Sequence, residues 1–407
     1  MTQAVRFCIR APHLSAAFIA LASMAVIYWV LFDTLHIERR LAHFTAPQML
    51  EIKDQSLSLQ DEAFGDKDLL PIYGSSELRN DSPYAGRIFF SQYPTGFRLF
   101  TVGKAGSKTL IIAERIGALG EKVRGKKVVI ILSPTWFLAR QEARSSYRGN
   151  FSALQAEELI FNSPLSQSLK ADLAREMLKY SKTLAGHPLL RFELKRLAGM
   201  HHSIEDRLVM ELGKSEDGFL ALLDRLETTF ALSGQMIENV PQLPDVHRHA
   251  KTTENWDALV GKAAITSNPE GWESEKDSGG IKLGRKLRGE HNASFPAMID
   301  RTDEWKHLVL LMRTLRELGA KPLFINIPLN ANAFEEAGVT PEQLKYYYAR
   351  LRNTVRDFHY PLATFEKYQG DSHFFADSLG HPSAKGWMVF NRTINQFYHG
   401  KLPPTLD

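Results

Sequence analysis

Lys127–Leu132 (KVVIIL), followed at once by Ser133–Phe137 (SPTWF), is the stretch that decides the fold class. Its run of β-branched and aliphatic residues is typical of a strand buried on both faces, and Pro134 stops that strand. Strands of this kind lie in parallel sheets that helices cover. The stretch therefore predicts an α/β protein, whose ligands are expected beyond the carboxyl ends of the strands.

The same pattern of short apolar runs between helical segments extends on both sides of this strand. Four more strands are predicted at Leu69–Tyr73, Phe97–Val102, Pro322–Ile327 and Leu362–Thr364. Helices are predicted at Lys108–Leu119, Trp305–Leu318, Thr340–Phe358 and Ala384–Tyr398. Thr340-Pro341-Glu342-Gln343 combines an N-cap, a first-turn proline and a capping-box glutamine. The alternation of strands and helices predicts one parallel sheet.

Two segments between the third and fourth strands do not follow this alternation. Residues from about 140 to 240 predict an all-helical insertion, in which Leu165, Leu169, Leu173 and Met177 recur every four residues. Residues 241–300 are rich in Gly, Ser, Asn and Pro and predict long loops. We therefore expect one domain at 67–407 that contains both segments.

An uncharged apolar stretch precedes this domain. Leu14–Phe32 spans 19 residues, enough for a helix to cross a bilayer core of about 30 Å. Arg6 and Arg10 lie before it, which favours a cytoplasmic N-terminus. A cleaved signal peptide is the alternative, but the small residues Ala20 and Ala22 lie inside the stretch rather than after it. We predict a single-pass anchor at 1–35, a connector at 36–66 and an extracytoplasmic domain in the cell membrane.

The composition is that of an ordinary globular protein, with 44% apolar and 24% charged residues among 407. The chain has 50 Lys and Arg against 46 Asp and Glu, too small an excess to indicate nucleic-acid binding. A mild positive charge suits an anionic polymer or membrane surface, but it also suits simple solubility. Cys8 is the one cysteine, so no intrachain disulfide can form.

Two short stretches at opposite ends of the predicted domain indicate acyl-transfer chemistry. Gly74-Ser75-Ser76 follows the first strand, and Asp377 and His381 precede the last helix. A serine hydroxyl needs a base within hydrogen-bond reach, and a histidine with a nearby carboxylate can supply it. Taken alone, each stretch also has a structural explanation, since Ser caps helices and Asp favours turns. Together they predict a serine nucleophile, with His381 as base and Asp377 as the orienting acid.

The ends of the second and third strands add candidate binding groups. The backbone N–H groups of Ser76 and Gly106 are predicted to bind the oxyanion. Thr135 and Trp136 follow the third strand and are predicted to contact the substrate. No metal site is predicted.

These stretches resemble the SGNH (GDSL-like) hydrolase superfamily, in which a Gly-x-Ser supplies the nucleophile and a late Asp-x-x-His completes the triad. The match on Gly74-Ser75-Ser76 makes Ser76 the nucleophile. Within the superfamily the chain is similar to the DltD family, in its N-terminal anchor and in Gly74–Leu78, Ser133–Phe137, Asn326–Asn330 and His381–Trp387. The resemblance implies a three-layer SGNH-like sandwich.

The resemblance also implies a function. It implies a membrane-anchored, outward-facing serine acyltransferase or esterase in D-alanylation of an envelope polymer of teichoic-acid type. It implies a membrane-bound O-acyltransferase (DltB-like) partner and an anionic polymer or acyl donor as ligand, with no cofactor. Polysaccharide O-acetyl transfer or ester hydrolysis is one alternative, and a non-catalytic scaffold for the acyltransferase is another.

The chain departs from the DltD pattern at two places. Thr135 stands where DltD proteins usually have Gln, and Asp377 lies four rather than three residues before His381. A Ser-His dyad, or Asp371 in place of Asp377, therefore remains open at this stage.

Overall fold

The computed structural model describes residues 12–30, 32, 36–93, 95–138, 144–199, 206–238, 246–247, 255–268 and 295–402. One sheet of five parallel strands runs through it, in the order β2-β1-β3-β4-β5. The strands are β1 (Leu69–Tyr73), β2 (Arg98–Val102), β3 (Lys127–Leu132), β4 (Lys321–Asn326) and β5 (Leu362–Ala363). The predicted parallel α/β sheet is confirmed, with strand ends that differ from the predicted ones by at most one residue.

Helices precede, connect and cover the strands. Those before β1 are Pro12–Trp29, Ile37–Thr45, Glu51–Gln55 and Leu57–Gly65. Those that follow the strands in α/β alternation are Gly86–Gln92, Thr109–Leu119, Ala331–Glu336, Pro341–Arg356 and Ala384–Tyr398. Those between β3 and β4 are Arg144–Asn150, Ala153–Glu157, Gln167–Met177, Pro188–Leu197, Asp206–Glu238, Trp256–Thr266, Phe295–Arg301 and Glu304–Glu317.

Successive residues of each strand enter two different cores, because side chains alternate between the faces of a sheet. On one face Tyr73 and Ile130 pack with the Thr109–Leu119 and Glu304–Glu317 helices. On the other face Ile72 and Ile131 pack with the Gly86–Gln92 and Ala384–Tyr398 helices. The strands are therefore apolar on both sides, and the arrangement is consistent with a three-layer sandwich.

The segment predicted as long loops, 241–300, is partly helical, which corrects that prediction. The Trp256–Thr266 helix begins at Asn255, whose side chain accepts the N–H of Ala258. Leu259 and Val260 then pack against the core on the second face. The free energy gained by burying these side chains and by capping the helix outweighs the preference of the surrounding residues for turns. Most of the rest of this segment lies outside the described residues.

The apolar segment near the N-terminus forms the Pro12–Trp29 helix, with Phe18 73% exposed. Within the described residues, no helix combines the length and apolar character needed to cross a membrane. The transmembrane helix predicted at Leu14–Phe32 is thus not confirmed by this structure.

Candidate active site

Ser76 lies at the carboxyl end of β1, where a short 3₁₀-helix begins. Its Oγ is 2.8 Å from Nε2 of His381, although 305 positions separate the two residues along the chain. Ser75, by contrast, is 3% exposed, and its hydroxyl donates to the carbonyl of Lys104. Adjacent serines on this turn thus point in different directions, and only Ser76 meets the histidine.

Asp377 contacts the other side of the imidazole. Its Oδ2 bonds Nδ1 of His381, and its Oδ1 accepts the backbone N–H of His381 at 3.0 Å. A tight turn makes this possible, since the N–H of Ala376 donates to the carbonyl of His381 at 2.8 Å. The turn accommodates the extra residue between Asp377 and His381. Asp377 therefore reaches the imidazole even though the spacing departs from Asp-x-x-His.

Asp371 has other partners. Its carboxylate accepts from Nζ of Lys385 at 2.5 Å and from the backbone N–H of His373 at 3.0 Å. These contacts hold the loop that leads to the last helix. Of the two candidate acids, the structure therefore brings Asp377 to Nδ1 of His381.

The charge of Asp377 determines which nitrogen of His381 carries the proton. Burial raises the pKa of Asp377, but the hydrogen bond and charge of His381 outweigh burial, and the pKa lies below its usual value. An ionised carboxylate only accepts hydrogen bonds, so Nδ1 donates to it. Nε2 then presents its lone pair to the hydroxyl of Ser76. This is the arrangement in which a histidine can remove a serine proton.

Glu77 is part of the site and was missed by the sequence reasoning. It is 2% exposed, and its Oε1 accepts the backbone N–H of Ser75 at 2.6 Å. Burial raises its pKa, while the amides of Ser75 and Glu77 and the charge of His381 act against that rise. A Cβ at position 74 would lie 2.2 Å from Glu77 Oε1, so a side chain there would displace this carboxylate from the Ser75 N–H. The signal in the sequence that could have revealed this role is the acidic residue directly after Gly74-Ser75-Ser76.

The loop after β2 packs directly against the serine turn. A Cβ at Gly103 would lie 2.0 Å from the carbonyl oxygen of Gly74, and the N–H of Gly106 donates to Oγ of Ser75 at 3.2 Å. The Gly106 amide, predicted to bind the oxyanion, is thus hydrogen-bonded to Ser75. The Ser76 amide is the first of its 3₁₀-helix, and no partner for it is found among the described residues. Of the two predicted donors, Ser76 is the one whose N–H is available.

Comparison with known proteins identifies the family. The model of the family described as DltD protein matches residues 46–399. The chain belongs to the DltD family. Protein DltD of Bacillus subtilis (strain 168) is 27% identical over 350 residues, which cover 84% of this chain and 86% of that protein. Protein DltD of Staphylococcus aureus (strain NCTC 8325 / PS 47) is 25% identical over 362 residues, covering 86% of each. Protein DltD of Lacticaseibacillus rhamnosus is 24% identical over 357 residues, covering 84% and 79%.

Two further residues of this DltD-family chain were predicted to contact substrate. Thr135 is half-buried at the end of β3, with Oγ1 2.8 Å from Oγ of Ser133. Trp136 is 5% exposed and packs in the core beneath the site, and its carbonyl accepts from Nζ of Lys108 at 3.4 Å. The side chain of Trp136 is therefore part of the core, and the predicted substrate contacts of Thr135 and Trp136 stay predictions.

Proposed function

We propose that this chain is a serine acyl-transfer enzyme of the SGNH type that acts in D-alanylation of a teichoic-acid-like envelope polymer. Membership of the DltD family supports the pathway. The observation that carries the chemistry is the 2.8 Å contact between Ser76 Oγ and His381 Nε2, with Asp377 on the far nitrogen.

The reaction has two halves. In the first, Nε2 of His381 takes the hydroxyl proton of Ser76, Oγ attacks the acyl carbonyl, and the leaving group departs with the proton from Nε2. In the second, Nε2 takes a proton from an incoming hydroxyl, whose oxygen attacks the acyl-serine carbonyl. The bond between the acyl carbon and Oγ then breaks, and Nε2 returns the proton to Oγ of Ser76. A polymer hydroxyl makes the enzyme a transferase, and water makes it an esterase. The backbone N–H of Ser76 stabilises the oxyanion in both halves.

The location and partner belong to the same proposal. The apolar run Leu14–Phe32 holds the chain in the cell membrane as a single pass, with the N-terminus in the cytoplasm and the catalytic domain outside. There a membrane-bound O-acyltransferase of DltB type is its partner, and the envelope polymer or an acyl donor is its ligand.

Three substitutions test the roles of the residues. Ser76→Ala and His381→Ala should each lower turnover of a D-alanyl ester by about 10³-fold or more, because members of one catalytic unit fail together. Ser75→Ala is the matched control and should stay within about tenfold of wild type, since its hydroxyl faces the β2 loop. A fluorophosphonate probe should label Ser76.

Other outcomes select the alternatives. Labelling of Ser75, or activity that survives His381→Ala, contradicts the assignment. Faster turnover of an acetyl ester than of the D-alanyl ester favours O-acetyl transfer or hydrolysis. Full polymer modification in cells that carry Ser76→Ala favours the non-catalytic scaffold.

A further inference from the structure

A surface cavity of about 500 Å³ lies between the Arg144–Asn150 helix and the turn that follows Tyr180. Arg144, Arg148 and Lys182 line it and are all exposed. The hydroxyl side chains of Ser181 and Thr183 lie on the same wall, and no carboxylate belongs to the described lining. The cavity, called the basic cavity below, therefore combines three cations with hydroxyl donors.

Among the described residues, the cations of the basic cavity have no acidic partner, whereas other cations nearby do. Arg175 is paired with Asp172, and Lys179 is paired with Glu176 and Asp303. Across the described ranges, no carboxylate lies within ion-pair distance of Arg144, Arg148 or Lys182. Cations gathered on a concave surface raise the local positive potential and attract anions.

One wall of the basic cavity packs on the loop beside the candidate nucleophile. A Cβ at Gly106 would lie 2.9 Å from Cβ of Ser146, and Nδ2 of Asn150 donates to the carbonyl of Ala105 at 3.3 Å. The amide of Gly106 in turn donates to Oγ of Ser75. Ser146 and Asn150 do not line the cavity, so the Arg144–Asn150 helix and this loop together separate a ligand in the cavity from the serine turn.

We infer that the basic cavity binds phosphate groups of the polymer whose hydroxyls reach Ser76. Guanidinium groups match the oxygens of a phosphate bidentately, and hydroxyls donate to the remaining oxygens. A polymer with regularly spaced phosphates would place one phosphate in the cavity, while neighbouring units extend over the Arg144–Asn150 helix and the Gly106 loop toward Ser76. This inference rests on the proposed function for the identity of the polymer, but the cavity binds phosphate whether or not Ser76 reacts.

The test measures binding of a fluorescent glycerol-phosphate oligomer to the full-length chain by anisotropy at low salt. It is done in the Ser76→Ala background, so that turnover plays no part. Replacing Arg144, Arg148 and Lys182 together with Gln should weaken binding by about tenfold or more, and added salt should erase the difference. The matched control replaces Lys126, Lys321 and Lys401, which are also exposed, and should change affinity by less than about twofold.

Kinetics give a second readout in the active protein. The cavity variant should raise KM for the polymer acceptor and leave turnover of a small soluble ester unchanged. Equal weakening in both triple variants reduces the effect to net charge and overturns the inference. Equal affinity for a polyglutamate of the same charge overturns the phosphate assignment. Binding to vesicles of phosphatidylglycerol but not to the oligomer makes the cavity a lipid-contact surface instead.

Discussion

At the scale of single residues, the position of Ser76 depends on a neighbour that it does not hydrogen-bond. Glu77 accepts the backbone N–H of Ser75, and the charge of His381 acts against the rise that burial causes in the pKa of Glu77. Glu77→Ala leaves a buried N–H without a partner, so the free energy of unfolding should fall by about 1–3 kcal/mol and ester turnover should fall with it. Glu77→Gln keeps an acceptor oxygen and should recover most of the stability.

Urea denaturation and ester turnover measure these two effects. Glu335→Ala removes an exposed carboxylate and should change stability by less than about 0.5 kcal/mol. An alanine variant at position 77 as stable and active as wild type would remove Glu77 from the site.

At the scale of elements, a buried ion cluster joins three helices beneath the β2 loop. Nε2 of His307 lies 2.9 Å from Glu176, and Nδ1 lies 3.7 Å from Glu304. Glu304 also accepts the N–H of Thr109, at the start of the Thr109–Leu119 helix. Burial lowers the pKa of His307, but the two carboxylates outweigh burial and raise the pKa to about 9.

This cluster predicts a pH dependence of stability. The folded protein holds the His307 proton more tightly than the unfolded chain, whose histidine pKa is about 6.5. The stabilisation is therefore complete below about pH 6.5 and is lost as pH rises through about 9. His307→Gln should lower the free energy of unfolding by about 3–5 kcal/mol at pH 6 and by less at pH 10. The exposed control His359→Asn should lack this trend, and an equal loss at both pH values would contradict the prediction.

At the scale of the whole molecule, the proposed anchor predicts how the chain behaves in cells. Most of the protein in a cell lysate should sediment with membranes and resist carbonate extraction. The mature N-terminus should retain Arg6 and Arg10. Protease added outside should digest the domain that follows His36. A chain with residues 1–35 deleted is the control and should leave the membrane fraction. A processed N-terminus beyond Phe32 would contradict the anchor.

The sequence by itself determined the strands, and its motifs pointed to the family. The strands could be predicted because each is buried on both faces of the sheet. Burial on both faces favours apolar residues at consecutive positions, and this pattern is visible in the sequence. The predicted capping box at Thr340 and Gln343 is confirmed. It could be predicted because a capping box depends only on residues three positions apart in the sequence. Sequence reasoning reached Ser76, Asp377 and His381 through their places at strand ends and through the family resemblance.

Only the tertiary structure decided which of these groups meet. The contact of Ser76 with His381 joins opposite ends of the domain, and the choice of Asp377 over Asp371 depends on how one loop folds back. The engagement of the Gly106 amide by Ser75 depends on the packing of two loops at neighbouring strands. Hydrogen bonds act over about 3 Å, so their partners follow from the relative placement of distant segments. Patterns within short stretches of sequence do not specify how distant segments are placed relative to one another.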